Sequence, residues 1–253
     1  MKPHKTQTLF LAWQDYKSRL WFPIGRLTFD GKRYQFVYLK GGKDAERKSG
    51  FKPLVCFPQW DEVYYSNHLF PVFANRLMSR SRPEYKNFVK RLNIPFDKED
   101  PMVLLARSEG KRETDALTVF PFPEVNEEGK YELCFFAHGL PYLPKGAISR
   151  IEKFQVGDKL WLAHEFQNEY DPKALAFTTQ EHYIVGYCPR YLLSNVFDIL
   201  MQSPELVDVR VEHINHSSIP LRFRLLCKMT YSTLDGLQPF SQTEYQPIVT
   251  NKN

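Results

Sequence analysis

Cysteine is scarce: four residues in 253, at positions 56, 134, 188 and 227, with no C-x-x-C pair among them. That spacing builds neither a disulfide framework nor a zinc ribbon, so reduced thiols in a cytosol are expected. No apolar run approaches the roughly 20 residues that a membrane-spanning helix needs. The opening, MKPHKTQTLFLAWQD, has only a short apolar patch before Asp15 and no small-residue cleavage site, so no secretory leader is read there. The expectation is a cytoplasmic protein with no membrane partner.

Catalytic signatures are also missing. There is no G-x-x-x-x-G-K-[ST] phosphate loop, no H-R-D-like text and no G-x-S-x-G elbow. His213 and His216 have a helical metal spacing but lie in strand-like sequence without a nearby Cys, so no metal is expected. No cofactor is implied, and no residues support an enzyme.

What the chain does have is aromatic side chains, at 15%, within a 43% hydrophobic and 25% charged composition. Its net charge of +5 is uneven: residues 1–125 hold 22 Lys+Arg against 14 Asp+Glu, and the remainder holds 12 against 15. A protein that coats a polyanion is usually basic throughout. Any nucleic-acid contact in the second half is therefore a small site.

In the first half, the apolar runs 21–29 and 34–39 flank Asp30-Gly31, which predicts an antiparallel hairpin. Residues 40–50 read as a charged loop. Asn67 is placed to cap a helix running to Met78, Pro83 to open a second, and Asp100-Pro101 to start a third that Gly110 stops. Residues 117–122 return to strand. The stretch 121–130, PFPEVNEEGK, is acidic and proline-bearing and reads as a linker. Beyond it come short strands, interrupted by one helix that Pro189 opens. That pattern points to a small barrel, and the end from Ser241 reads as a loose polar tail.

Three clusters stand out in the second half: Gly139-Leu140-Pro141-Tyr142, Asn168-Glu169-Tyr170-Asp171-Pro172-Lys173-Ala174 and Val185-Gly186-Tyr187-Cys188-Pro189-Arg190. In order and spacing they resemble the HIRAN domain, an OB-like barrel, from about Phe135 to Tyr231. The resemblance implies recognition of a free 3′ end of single-stranded DNA. It places Tyr142 and Tyr170 at stacking positions, Asp171 as acceptor for the terminal 3′-hydroxyl and Asn168 beside the terminal nucleotide. Tyr187 stands where the family often has a histidine beside the phosphates, and Pro141 where the DNA-binding remodeller form has a basic residue. Phe223 is a candidate third ring, and Lys145 and Arg190 are candidate phosphate contacts. The chemistry agrees: unpaired bases stack on aromatic faces, and a carboxylate accepts a hydroxyl proton but repels a phosphate. A plain turn at Tyr170-Asp171-Pro172, with Asp171 satisfying backbone N–H groups, is the rival reading.

The first half resembles the N-terminal subdomain of HipA-type serine/threonine kinases. The hairpin 21–39, Lys52-Pro53-Leu54-Val55-Cys56-Phe57-Pro58 and Leu69-Phe70-Pro71-Val72-Phe73-Ala74-Asn75-Arg76-Leu77 carry the likeness. The kinase core of that family lies beyond this subdomain, so the chain resembles a detached accessory protein. Trp60, beside Asp61-Glu62, is the candidate partner contact. The basic run Arg76, Arg80, Arg82, Lys86, Lys90, Arg91 reads as a solvated helix face.

The expected fold class is α+β: a HipA-like α+β subdomain at 1–122, a linker at 123–130, a HIRAN OB-like barrel with one helix at 131–235, and a polar tail at 236–253. The expected function is a non-catalytic adaptor for single-stranded DNA with a free 3′-hydroxyl. The alternative is an antitoxin-like protein that restrains a HipA-type kinase, with a barrel that binds no DNA.

Overall fold

A computed structural model describes residues 6–233 and 238–249. Three apolar runs pair first. β1 (Gln7–Gln14), β2 (Trp21–Phe29) and β3 (Tyr34–Tyr38) are antiparallel neighbours. The β2–β3 turn closes because Asp30 Oδ1 accepts the backbone N–H groups of Lys32 and Arg33, at 2.8 and 2.9 Å, a side-chain mimic of a backbone turn.

Residues 40–50, expected as a loop, form helix α1 (Lys40–Ser49) instead. Its buried face consists only of Gly41, Gly42 and Ala45, so no hydrophobic period marks it. Outside, Lys43 pairs with Glu46 at 3.0 Å and Arg47 with Asp44 at 2.7 Å, spacings that support a helix. Gly50 ends it at φ 68°, its N–H donating to the carbonyls of Ala45 and Glu46; glycine takes this left-handed cap without a Cβ clash.

β4 (Tyr64–Ser66), α2 (Pro71–Ala74), α3 (Tyr85–Arg91), α4 (Pro101–Ser108) and β5 (Leu117–Pro121) follow. The helix expected from Asn67 to Met78 shortens to the single turn α2, which starts after Phe70. Asp100 caps α4, accepting from the N–H groups of Met102 and Val103 at 2.7 and 3.0 Å. The sheet order is β4-β3-β2-β1-β5. Phe36, Phe57, Phe73, Leu11, Ile24 and Leu27 fill the core on it. The Phe36 and Phe57 rings stack with centroids 3.9 Å apart.

The chain divides into two compact units, with the boundary at Phe122/Pro123, and the described residues from Phe240 onward return to the first unit. They are not the loose tail that the sequence predicts. Phe240 and Tyr245 are buried, each with its centroid 5.2 Å from that of Phe10. Lys40 N–H donates to the Gln246 carbonyl at 2.8 Å, and Ile248 N–H to the Tyr38 carbonyl at 2.9 Å.

The second unit holds β6 (Glu124–Val125), β7 (Tyr131–Phe136), α5 (Lys145–Ile151), β8 (Lys159–His164), β9 (Leu175–Thr178), β10 (Ile184–Tyr187), α6 (Arg190–Leu200), β11 (Val207–Ile214) and β12 (Leu225–Tyr231). Its strands form an antiparallel sheet in the order β10-β9-β8-β11-β12-β7-β6. Three expectations change here. The linker at 123–130 is an edge hairpin, β6 with β7, turned by Asn126 Oδ1 accepting from the N–H groups of Glu128 and Lys130. Among the described residues there are two α-helices, α5 and α6, where one was expected. And the sheet does not close as a barrel: among the described residues the β7 side meets β10 through the isolated bridge His138–Tyr187, two reciprocal bonds of 2.9 Å. The barrel end expected at 235 lies outside the described residues. Among the described residues, no helix is long and apolar enough to cross a membrane.

Candidate functional site

The β8–β9 loop carries Asn168, Tyr170 and Asp171, and side-chain hydrogen bonds set its shape. Asn168 Oδ1 accepts from the backbone N–H groups of Tyr170 and Asp171 at 3.0 Å each, and its amide donates to Glu165 at 2.6 Å. Asp171 Oδ1 accepts from Lys173 N–H at 2.9 Å, while Oδ2 pairs with Arg190 Nε at 2.8 Å. Arg190, the first residue of α6, also donates to the Tyr170 carbonyl at 2.8 Å. A planar guanidinium holding a carboxylate and a carbonyl fixes both in orientation. The loop is thus tied at both ends, and the Tyr170 side chain projects from it 83% exposed.

Two candidates are engaged within the protein: the Asn168 amide shapes the loop, and the Arg190 guanidinium holds Asp171 and the Tyr170 carbonyl. The rival turn reading is correct in its geometry, since Asp171 does bond Lys173 N–H.

A second loop, between β7 and α5, holds Tyr142. Leu140 is fully buried as its anchor, and Tyr142 is 92% exposed. Gly139 adopts φ 78°, and a Cβ there would meet Tyr187 Cδ2 at 2.5 Å. No other residue combines that backbone angle with so close a ring. Tyr187 therefore lies against the Tyr142 loop, and its phenol feels the carboxylate of Glu165, the acid that holds Asn168 in the other loop. One phenol joins the two clusters.

Burial, and then the Glu165 carboxylate, push the Tyr187 phenol up to about 12. A group raised in the folded state contributes stability that is complete below its unfolded value and is lost as pH rises through the folded one. The wild type should accordingly lose stability between about pH 10 and 12, and Tyr187→Phe should lose less over that range. Thermal melts across that range check this, and superimposable alkaline limbs would refute it.

Tyr142 and Tyr187 also line a groove of about 820 Å³ together with Pro144, Arg150, Tyr183 and Ile184. Tyr170 and Asp171 are not among its lining residues; they connect to it through Glu165 and Tyr187. Lys145 is exposed at the start of α5. Phe223 is no stacking ring: it is buried, packed edge-on against Phe136 at 5.3 Å. Its turn, Leu221–Phe223, is a 3-10 helix.

In the first unit, Trp60 is a half-buried flank of the core rather than a free anchor. It packs 4.6 Å from Tyr38, with Lys43 Nζ 4.4 Å from its ring centroid, and fills the space that a side chain on Gly42 would need. Arg76 leaves the basic run as well, since its buried guanidinium grips Asp115 at 2.6 Å and the carbonyls of Val72 and Gly110. Glu165, Arg150 and Tyr183 escape a sequence reading because no motif includes them; the fold alone brings them to Tyr187.

Residues 130–230 match the HIRAN domain family model. It is similar to the crystal structure of the HIRAN domain of human HLTF, at 18% identity and a TM-score of 0.30 over 40% of this chain and 74% of that one. It is also similar to the crystal structure of a protein from Lactobacillus plantarum, at 19% identity and a TM-score of 0.31 over 41% and 100%. No curated protein matches the chain. The family match leaves residues 1–129 uncovered.

Proposed function

We propose that the second unit binds the free 3′ end of single-stranded DNA. Tyr142 and Tyr170 stack on bases and Asp171 accepts the terminal 3′-hydroxyl. The observation that carries this reading is the exposure of two tyrosines, Tyr142 at 92% and Tyr170 at 83%, on the loops of two clusters, with the Asp171 carboxylate held in place beside Tyr170. The HIRAN match supports a DNA-binding role.

The physical grounds are these. A projecting phenol on a fixed loop offers its faces to a base at little ordering cost. A carboxylate has about four acceptor sites, and Asp171 uses two of them on Lys173 N–H and Arg190. The remaining capacity suits a hydroxyl donor. A 3′-phosphate brings negative charge and no proton to share. Arg190 offsets part of the repulsion, so the lost hydrogen bond carries most of the selectivity.

A hydrogen bond to a charged group contributes about 1.5–3 kcal/mol. Fluorescence titration should therefore show a 3′-hydroxyl oligonucleotide binding about tenfold or more tightly than its 3′-phosphate counterpart. Equal affinities would overturn the mechanism. The HIRAN domain is not catalytic by itself, and within this reading the chain is a non-catalytic adaptor. The first unit as a protein-interaction module, with a HipA-type kinase as partner, rests on the sequence resemblance alone.

A further inference from the structure

A basic and aromatic strip crosses one edge of the second unit's sheet, starting from the groove beside the Tyr142 loop. Trp161 on β8, Thr178 on β9 and Ile184 on β10 are register partners, so they form a row with about 4.8 Å between strands. At one end of the row, Ile184 lines the Tyr142–Tyr187 groove beside Tyr183 and Arg150. At the other, a second depression of about 420 Å³ is lined by Lys153, Lys159 and Trp161. Arg150 and Lys153 line both, which makes the two depressions neighbours.

Rings and cations alternate along this strip. The Arg150 guanidinium lies 3.4 Å from the Tyr183 ring centroid, and Lys159 Nζ lies 4.3 Å from that of Trp161. Tyr183 and Trp161 stay 49% and 46% exposed. The acids nearby are Asp158 and Glu181 on the margin of the second depression, and Asp208, 3.9 Å from Lys159. Asp158 is engaged by Gln155 N–H at 2.8 Å and Asp208 by Arg210 at 2.6 Å. Glu152 turns to Arg224 at 3.4 Å. Three cations gather here beside two accessible rings, with Glu181 close enough to Arg150 to interact with it electrostatically.

We propose that this strip is the track for the body of the strand. The nucleotides 5′ of the bound end run along it, with phosphates on Arg150, Lys153 and Lys159 and a base on Trp161. The proposal rests on the single-strand reading above and extends it from the terminus to a path. Alternating ring and cation suits single strands, whose base faces are open, and not duplexes, whose faces are stacked on each other. Three residue steps along β10 from Tyr187 to Ile184 cover about 10 Å, and two strand steps to Trp161 cover about 10 Å more. That length calls for a footprint of about four nucleotides or more, within the range of small single-strand modules.

The test titrates 3′-hydroxyl oligonucleotides of about two to ten nucleotides against the full chain and Arg150→Gln/Lys153→Gln. Wild-type affinity should rise with length and then level off. The variant should lose most of that rise, and its salt slope should fall by about 1.4, or about 0.7 for each phosphate released. Its preference for 3′-hydroxyl over 3′-phosphate should remain. Lys153→Gln alone, at an exposed position, should lower the slope by about 0.7 and guards against misfolding of the double variant. Trp161→Ala should weaken long oligonucleotides by roughly fivefold or more and leave the shortest unchanged. Unaltered length dependence and salt slope in these variants would overturn the track. If neither protein prefers a 3′-hydroxyl yet the length effect still vanishes in the variants, the end reading fails and the track stands.

Discussion

Tyr142→Ala/Tyr170→Ala should bind a 3′-hydroxyl oligonucleotide at least about 30-fold more weakly than the wild type. Each ring removed costs about 1–3 kcal/mol of base stacking, and every 1.4 kcal/mol is tenfold in affinity. The single variants should each lose roughly 5- to 150-fold. Folding should hardly change, because both side chains project into solvent at 92% and 83% exposure and surface truncations usually stay within about 0.5 kcal/mol. A double variant that melts with the wild type yet binds within about threefold of it would remove stacking from the mechanism. Fluorescence anisotropy beside a thermal melt reads both quantities.

The second large effect concerns stability. Phe240→Ala/Tyr245→Ala should lower the melting transition of the first unit by about 10 °C or more. A buried aromatic truncated to alanine costs about 3–5 kcal/mol, and each kcal/mol moves a domain of this size by a few degrees. The two rings sit against Phe10, with Phe120 5.7 Å from Phe240, so their loss opens a cavity in a cluster that cannot easily collapse. The second unit's transition should stay where it is. Calorimetry resolving two transitions checks this, and an unmoved first transition would show that residues 240–249 contribute little.

Much of the scaffold was legible where one residue type does one physical job. Asp30-Gly31 announces a tight turn, Asp100-Pro101 a helix start, and Pro189 the opening of α6. The loops bearing Tyr142, Tyr170 and Asp171 were legible as clusters. What escaped has a common cause. α1 buries only glycine and alanine, and α5 only Ile151, so neither shows a hydrophobic stripe. Trp60 and Phe223 are packed by residues remote in sequence, Tyr38 and Phe136 respectively. The ion pair between Asp171 and Arg190 spans two clusters that sequence reading treats separately. Identity at a position speaks of local geometry, and partnership across the fold does not appear in it.

The return of Phe240 to the first unit has a topological consequence. The Phe122 and Phe240 rings lie 6.3 Å apart, so the polypeptide leaves that body and re-enters it at nearly one spot. Residues 123–239 are a guest spliced into a host, joined by two adjacent strands of chain in the manner of domain insertions. A bridge of a few residues, at about 3.5 Å each, would span the gap and leave the host whole. Severing the polypeptide after Phe122, by contrast, would strip the host of its closing aromatic pair.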